Sequence, residues 1–280
     1  MIIEYQRPNS LDAALELLAR PSPRTLPLGG GTVLNRPSPE PVAVVDLQAL
    51  GLNSLQATGS ILSIGATVTL GALADWPGLQ PALLRAIQLE LNHNLRQVAT
   101  VAGVLVSADG RSGFAAALLA LDAALEIRLH SGTGKPEREK VSLGDLLPLR
   151  RERLPGRLIT QVSIPLHARL AYEVVARTPA DLPILCVAVA QWPSGRTRLA
   201  VGGFGHAPTL AMDGPEPGGA ETAAQEVCRA AEDEWASADY RCAVAGTLAR
   251  RCLEYLLADE HGKTRNRKEA HGKASDSSDA

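Results

Sequence analysis

Arg24-Thr25-Leu26-Pro27-Leu28-Gly29-Gly30-Gly31-Thr32-Val33-Leu34 carries a short apolar run straight into three consecutive glycines and a threonine. Glycine admits φ > 0 and lets a ligand approach the main chain with no Cβ in the way. Successive N–H groups of such a turn converge on an anion such as a pyrophosphate. An ordinary tight turn explains a lone glycine run at least as well. The phosphate reading gains weight from a second stretch downstream, Ala99-Thr100-Val101-Ala102-Gly103-Val104-Leu105.

The rest of the chain limits what such a site serves. A length of 280 residues suits one large or two modest domains with real cores. Aromatic residues are only 3% of the chain, so Leu, Val, Ile and Ala must build those cores. A net charge of -2 argues against a nucleic-acid surface, which needs a clustered basic excess. No apolar run is long enough to span a bilayer, so membrane insertion is not expected. The opening Met1-Ile2-Ile3-Glu4-Tyr5-Gln6-Arg7-Pro8 lacks the pattern of a signal peptide, and a cytoplasmic location is expected. Cys186, Cys228, Cys242 and Cys252 are scattered without a Cys-x-x-Cys, and the histidines show no ligand spacing, so no metal site is expected.

Two domains and a tail are expected. Ser10 caps a helix whose Leu11, Ala14, Leu15 and Leu18 share a face. Strand-like runs follow at Thr25–Leu28, Val42–Asp46 and Ile61–Ile64. Thr69 caps a helix over Leu70–Asp75, and Pro81–Leu89 reads as a stronger one. Phe114–Ala120 reads as a buried helix and Leu125–Leu129 as a strand. Ser131-Gly132-Thr133-Gly134 reads as a hairpin turn. Ser142–Leu147 fits one helical turn, and Leu158–Ile164 alternates as a strand that stops at Pro165. From Ala168 onward, Ala171–Val175, Ile184–Gln191 and Arg198–Val201 read as three antiparallel strands. Trp192-Pro193-Ser194-Gly195 turns between the last two. Ala220–Ala231 and Asp239–Leu257 read as helices, which gives an α+β layer domain. Residues 258–280 are polar and mixed in charge, and are expected to be disordered.

These motifs, in this order, resemble the FAD-binding subunit of the molybdenum hydroxylases, the family of xanthine dehydrogenase and the aerobic carbon monoxide dehydrogenases. Tyr5–Leu11 followed by an Ala/Leu helix resembles the family's start. Leu28-Gly29-Gly30-Gly31-Thr32 resembles its Ala-Gly-Gly-Thr turn, and Ala99–Gly103 sits where the family has Thr-Ile-Gly-Gly-Asn. Val45-Asp46-Leu47, Ile64–Thr69, Leu118–Ala123, Ile159–Pro165, Val201–Thr209 and Ala238-Asp239-Tyr240-Arg241 extend the likeness over roughly residues 3–257.

The resemblance implies an α+β fold: a two-part FAD-binding domain of the PCMH/vanillyl-alcohol-oxidase type over 1–166, then a small sheet-plus-helices domain over 168–257. It also implies FAD as cofactor, with partners in a large molybdenum-cofactor subunit and a small iron–sulfur subunit. Electrons would pass from the iron–sulfur clusters through FAD to an external acceptor, so this chain needs no catalytic residue of its own. Leu28, Gly29, Gly30, Gly31 and Thr32 would wrap the pyrophosphate, with Val33 following where the family has Asp or Asn. Thr100, Val101, Ala102, Gly103 and Val104 would form the second wall. Leu158 or Ile159 would pack near the flavin.

Three departures bear on the cofactor. Ala102 replaces the second motif's first glycine, Val104 its asparagine, and Gly113 an aspartate of the family, with Asp109 nearby as a stand-in carboxylate. Two further readings therefore stay open at this point. One is a relative of the fold that has lost FAD and serves as a scaffold or assembly component. The other is a divergent flavin or nucleotide protein acting alone.

Overall fold

A computed structural model describes residues 1–35, 40–132 and 136–275. Its first part holds two sheets. Strands β1 (Ile2–Gln6), β2 (Thr25–Leu28) and β3 (Val42–Asp46) form a parallel sheet in the order β1-β3-β2. Helix α1 (Leu11–Ala19) links β1 to β2. It starts where the Ser10 hydroxyl accepts from the Ala13 N–H at 3.3 Å. Its buried Ala14, Leu15 and Leu18 pack with Val45, Leu47 and Leu158 into a small core.

The second sheet is antiparallel. It comprises β4 (Leu55–Thr58), β5 (Ile61–Gly65), β6 (Ala124–Leu129), β7 (Glu137–Ser142) and β8 (Arg157–Pro165), in the order β4-β5-β8-β6-β7. Five helices lie between β5 and β6: α2 (Leu70–Ala74), α3 (Pro81–Glu90), α4 (His93–Arg96), α5 (Val101–Ser107) and α6 (Gly113–Ala120). The short α7 (Leu143–Leu146) and α8 (Arg150–Arg153) lie between β7 and β8. Every residue of α6 is buried, as its Phe-Ala-Ala-Ala-Leu-Leu-Ala run demands.

The third sheet, β9 (Arg169–Val175), β10 (Leu185–Gln191), β11 (Thr197–Gly202) and β12 (Thr209–Gly214), is an antiparallel meander. Along β10 the two faces alternate with a period of two. Cys186, Ala188 and Ala190 join the core of the first part, whereas Leu185, Val187 and Val189 pack with α9 (Ala220–Glu226) and α10 (Ala238–Ser275). The sheet is thus sandwiched between α3 and α6 on one side and α9 and α10 on the other. The expected boundary near Ala168 is a change of sheet, across which one hydrophobic core continues.

The α+β organisation agrees with the sequence reading, and several elements differ. The strands β1, β4, β7 and β12 are present where no strand was expected. Strand β7, Glu-Arg-Glu-Lys-Val-Ser, is a charged edge strand, the composition that blunts an open sheet edge and hides the apolar alternation. Thr133 and Gly134 of the expected hairpin turn lie outside the described residues, although Leu129 and Glu137 on either side are paired. Helix α9 stops at Glu226, short of Ala231. Residues 258–280 were expected to be a disordered tail; helix α10 is described as far as Ser275. That stretch contains no proline and is rich in Ala, Glu, Lys and Arg, all good helix formers.

Candidate functional site

A cavity of about 640 Å³ opens between the parallel sheet and the five-stranded sheet. Its size is typical of small-molecule sites. The C-terminal end of β2 delivers the glycine loop to it, the start of α5 supplies a second wall, and α8 with the approach to β8 supplies a third.

The glycines of the loop serve packing first. A Cβ on Gly29 would lie 2.7 Å from Thr100 Oγ1, and one on Gly30 would lie 1.6 Å from the Val98 carbonyl oxygen. The loop therefore seats directly on the segment before α5, which is why the two motifs line one cavity. Gly31 has φ +70, the left-handed region that favours glycine. Among the described residues, no acceptor is placed against the backbone N–H of Gly29, Gly30, Gly31 or Thr32. Those four N–H groups have no protein partner among the described residues.

The second wall behaves differently. Thr100 caps α5, its hydroxyl accepting from the Gly103 N–H at 3.2 Å. The Val101 N–H donates to Val68 O at 2.8 Å and the Ala102 N–H to Ala66 O at 3.3 Å. This wall supplies mainly shape, because the N–H groups of Val101, Ala102, Gly103 and Val104 are already committed.

Of the expected site residues, Gly29, Gly30, Gly31, Thr32, Val33, Thr100, Ala102, Gly103, Leu158 and Ile159 line this one cavity. Leu28, Val101 and Val104 do not; Leu28 pairs with Asp46 in the sheet, and Val101 and Val104 are buried in the core. Val104 therefore costs the cavity no polar contact. Ala102 sits inside helix α5, where alanine adopts the required backbone without strain. Gly113 is correspondingly removed from the cavity. A Cβ there would lie 2.1 Å from the Tyr172 hydroxyl oxygen, so the family's aspartate has no room. Asp109 is no stand-in at the cavity, since its carboxylate accepts from the Arg111 N–H at 2.8 Å. Arg177 stacks with Arg111 over the Trp235 ring, each 4.5 Å from its centroid.

The arginines of the cavity escaped the sequence reading because they come from three separate segments. Arg20, Arg24, Arg150, Arg151 and Arg157 line it, and among the described residues no Asp or Glu side chain does. Arg20 donates from Nε to Thr25 Oγ1 at 2.7 Å and from Nη1 to Glu4 at 2.9 Å, while its buried Nη2 has no partner. Free backbone donors, an orphaned guanidinium nitrogen and the absence of carboxylates fit a ligand with an anionic centre. Leu18, Leu26, Val33, Leu158 and Ile159 fit its apolar rings.

Residues 1–167 match the family of the FAD binding domain in molybdopterin dehydrogenase. The chain belongs to this family. FAD is the cofactor of its domain, and the donor set just described suits that dinucleotide. The chain is 29% identical over 205 residues to the protein YgfM of Escherichia coli K12, covering 72% of this chain and 75% of that one. It is 25% identical over 281 residues to the carbon monoxide dehydrogenase medium chain of Afipia carboxidovorans, covering 91% and 96%. Its fold superposes on the reconstituted CO dehydrogenase from Oligotropha carboxidovorans with a TM-score of 0.74 at 25% identity, covering 90% of this chain and 96% of that one. Among the described residues, no helix is long and apolar enough to cross a membrane.

Proposed function

We propose that this chain is the flavoprotein subunit of a molybdenum hydroxylase, relaying electrons from a partner's iron–sulfur clusters to an external acceptor. The observation that carries the reading is the set of four N–H groups at Gly29–Thr32 with no partner among the described residues, beside an arginine-lined wall to which no described carboxylate contributes. FAD supplies the redox chemistry when bound, taking up and releasing electrons. The chain's own residues bind and orient it. The Gly29–Thr32 amides and the Thr32 hydroxyl hold the pyrophosphate, and Gly31 gives the turn its hand. Leu158 and Ile159 face opposite sides of β8, so the first anchors the strand on α1 and the second on the main core. Both present an aliphatic edge to the cavity between.

A scaffold that has lost its cofactor is the weaker reading. Ala102, Val104 and Gly113 cost the cavity no donor. By analogy with the carbon monoxide dehydrogenase medium chains, the partners are a large molybdenum-cofactor subunit and a small iron–sulfur subunit. The four cysteines are free thiols, in keeping with the reducing cytoplasm.

The test is affinity purification of the tagged chain from its native host with metal and flavin analysis. Molybdenum, iron and FAD in fixed ratio with two further chains support the reading. A flavin-bearing chain that purifies alone and reduces acceptors unaided contradicts it.

A further inference from the structure

The five cavity arginines are not equivalent. Three are paired with carboxylates outside the cavity: Arg20 with Glu4 at 2.9 Å, Arg24 with Glu40 at 2.8 Å and Arg157 with Glu139 at 2.8 Å, with the buried Nη2 of Arg20 left over. Arg150 is buried and spends its N–H groups on main-chain carbonyls. Nε donates to Val106 O at 3.2 Å and Nη2 to His206 O at 2.8 Å, with further short bonds to Leu147 O and Ala108 O. That guanidinium ties the end of α5 to the loop after β11 and is not free to engage a ligand. Arg151, next in sequence, lines the same cavity and is exposed. Among the described residues it makes no hydrogen bond or ion pair.

A diphosphate brings two negative charges into a largely apolar cavity, and a charge taken from water must be paired. Backbone amides contribute partial charge only. Arginine offers a planar fork of donors that matches phosphate oxygens two at a time. We propose that Arg151 is the phosphate-binding side chain of this site, engaging the dinucleotide's diphosphate from the α8 side while the Gly29–Thr32 amides engage it from β2. The inference rests on the reading that the cavity takes FAD. It adds a specificity: the site selects ligands for their diphosphate, so that ADP shares the determinant and riboflavin lacks it. Burial and then the neighbouring Arg151 charge lower the pKa of Arg150, with Asp109 and Glu152 opposing them in part.

The experiment titrates the flavin-free full chain with FAD, ADP and riboflavin by calorimetry, comparing wild type with Arg151→Gln and Arg151→Lys. Arg151 is exposed and unpaired, so both variants are expected to keep the wild-type melting temperature. Arg151→Gln is expected to weaken FAD and ADP each by about tenfold or more and to leave riboflavin unchanged. Arg151→Lys recovers part of the loss, because a point charge replaces the fork. An Arg151→Gln affinity for FAD within about twofold of wild type overturns the proposal. So does an equal loss for riboflavin. A wild-type chain that binds neither FAD nor ADP overturns the cofactor reading beneath it, an outcome distinct from wild-type binding that ignores Arg151. If Arg151→Gln does not fold, the salt dependence of wild-type binding decides instead. FAD affinity must fall with added NaCl more steeply than riboflavin affinity, and parallel slopes overturn the proposal.

Discussion

Gly113 lacks a side chain because the Tyr172 hydroxyl occupies its place: a Cβ there would lie 2.1 Å from the phenolic oxygen. Tyr172 comes from β9 and Gly113 opens α6, so the contact joins the flavin domain to the third sheet. Supplying the aspartate that the family carries there is therefore expected to damage the fold without improving the cofactor site. Gly113→Asp should give aggregated or strongly destabilised protein, read as a lowered melting temperature or loss of soluble yield. Gly113→Ala should lose stability for the same reason, and adding Tyr172→Phe should recover part of that loss, the ring carbon at 3.0 Å remaining close. Among the described residues the buried Tyr172 hydroxyl has no oxygen or nitrogen partner and only the weakly bonding Cys186 thiol beside it, so Tyr172→Phe alone should cost less than about 1 kcal/mol or stabilise.

Glu90 closes α3 beside the same contact, its carboxylate accepting from the Phe114 N–H at 3.0 Å. Burial pushes its pKa up to about 7 from 4.5. The folded state then holds a proton that the unfolded chain has lost, so stability falls as pH rises from about 4.5 to about 7 and levels off above that. Denaturant midpoints measured across this range should show the decline in wild type. Glu90→Gln should flatten it, and an unchanged slope in the variant would remove Glu90 as its source.

Gly30 and Gly31 are expected to respond differently to alanine. At Gly30 a methyl group meets the Val98 carbonyl oxygen at 1.6 Å, and neither backbone segment yields cheaply. Gly30→Ala should lose several kcal/mol of stability together with the cofactor, in the range of severe overpacking. At Gly31 the nearest atoms are 3.5 Å away and the cost is the left-handed backbone, about 1–2 kcal/mol. Gly31→Ala should fold and bind FAD more weakly, as read by thermal melts with and without FAD.

Arg241 is the largest fully buried side chain. Its Nη2 bonds Asp233 at 2.8 and 2.9 Å, and its other nitrogens bond the carbonyls of Ile184, Ala231 and Ala236. It fixes the loop before α10 to the start of β10 and takes no part in the cavity. Arg241→Ala should cost a few kcal/mol, since three carbonyls lose their donor and a large buried side chain is removed, while the exposed Asp233 keeps the Trp235 and Ala236 N–H donors. In protein that still folds, FAD affinity should be unchanged.

Much of this architecture is legible in local chemistry. Ser10, Thr69 and Ser112 each cap a helix through their hydroxyls, and the alternation of Leu158–Ile164 marks β8. The glycine loop is legible because three consecutive glycines mark a turn or a close backbone approach, and here Gly29 and Gly30 make that approach at Thr100 and Val98. The segment after Thr100 is not, because Ala102 and Gly103 suggest a turn, whereas Thr100 caps a helix there. Nor is the arginine wall, since Arg20, Arg24 and Arg151 meet only once α1, β2 and α8 are packed. The meaning of Gly113 depends on Tyr172, 59 positions later in the chain, and no local pattern reveals such a pair.

The most direct test of the account is the visible absorption spectrum of the purified chain, with the supernatant examined again after heat denaturation. The account predicts a flavin band in the native protein and release of about one FAD per chain on heating. A folded, colourless chain that takes up no FAD when the dinucleotide is added would contradict it.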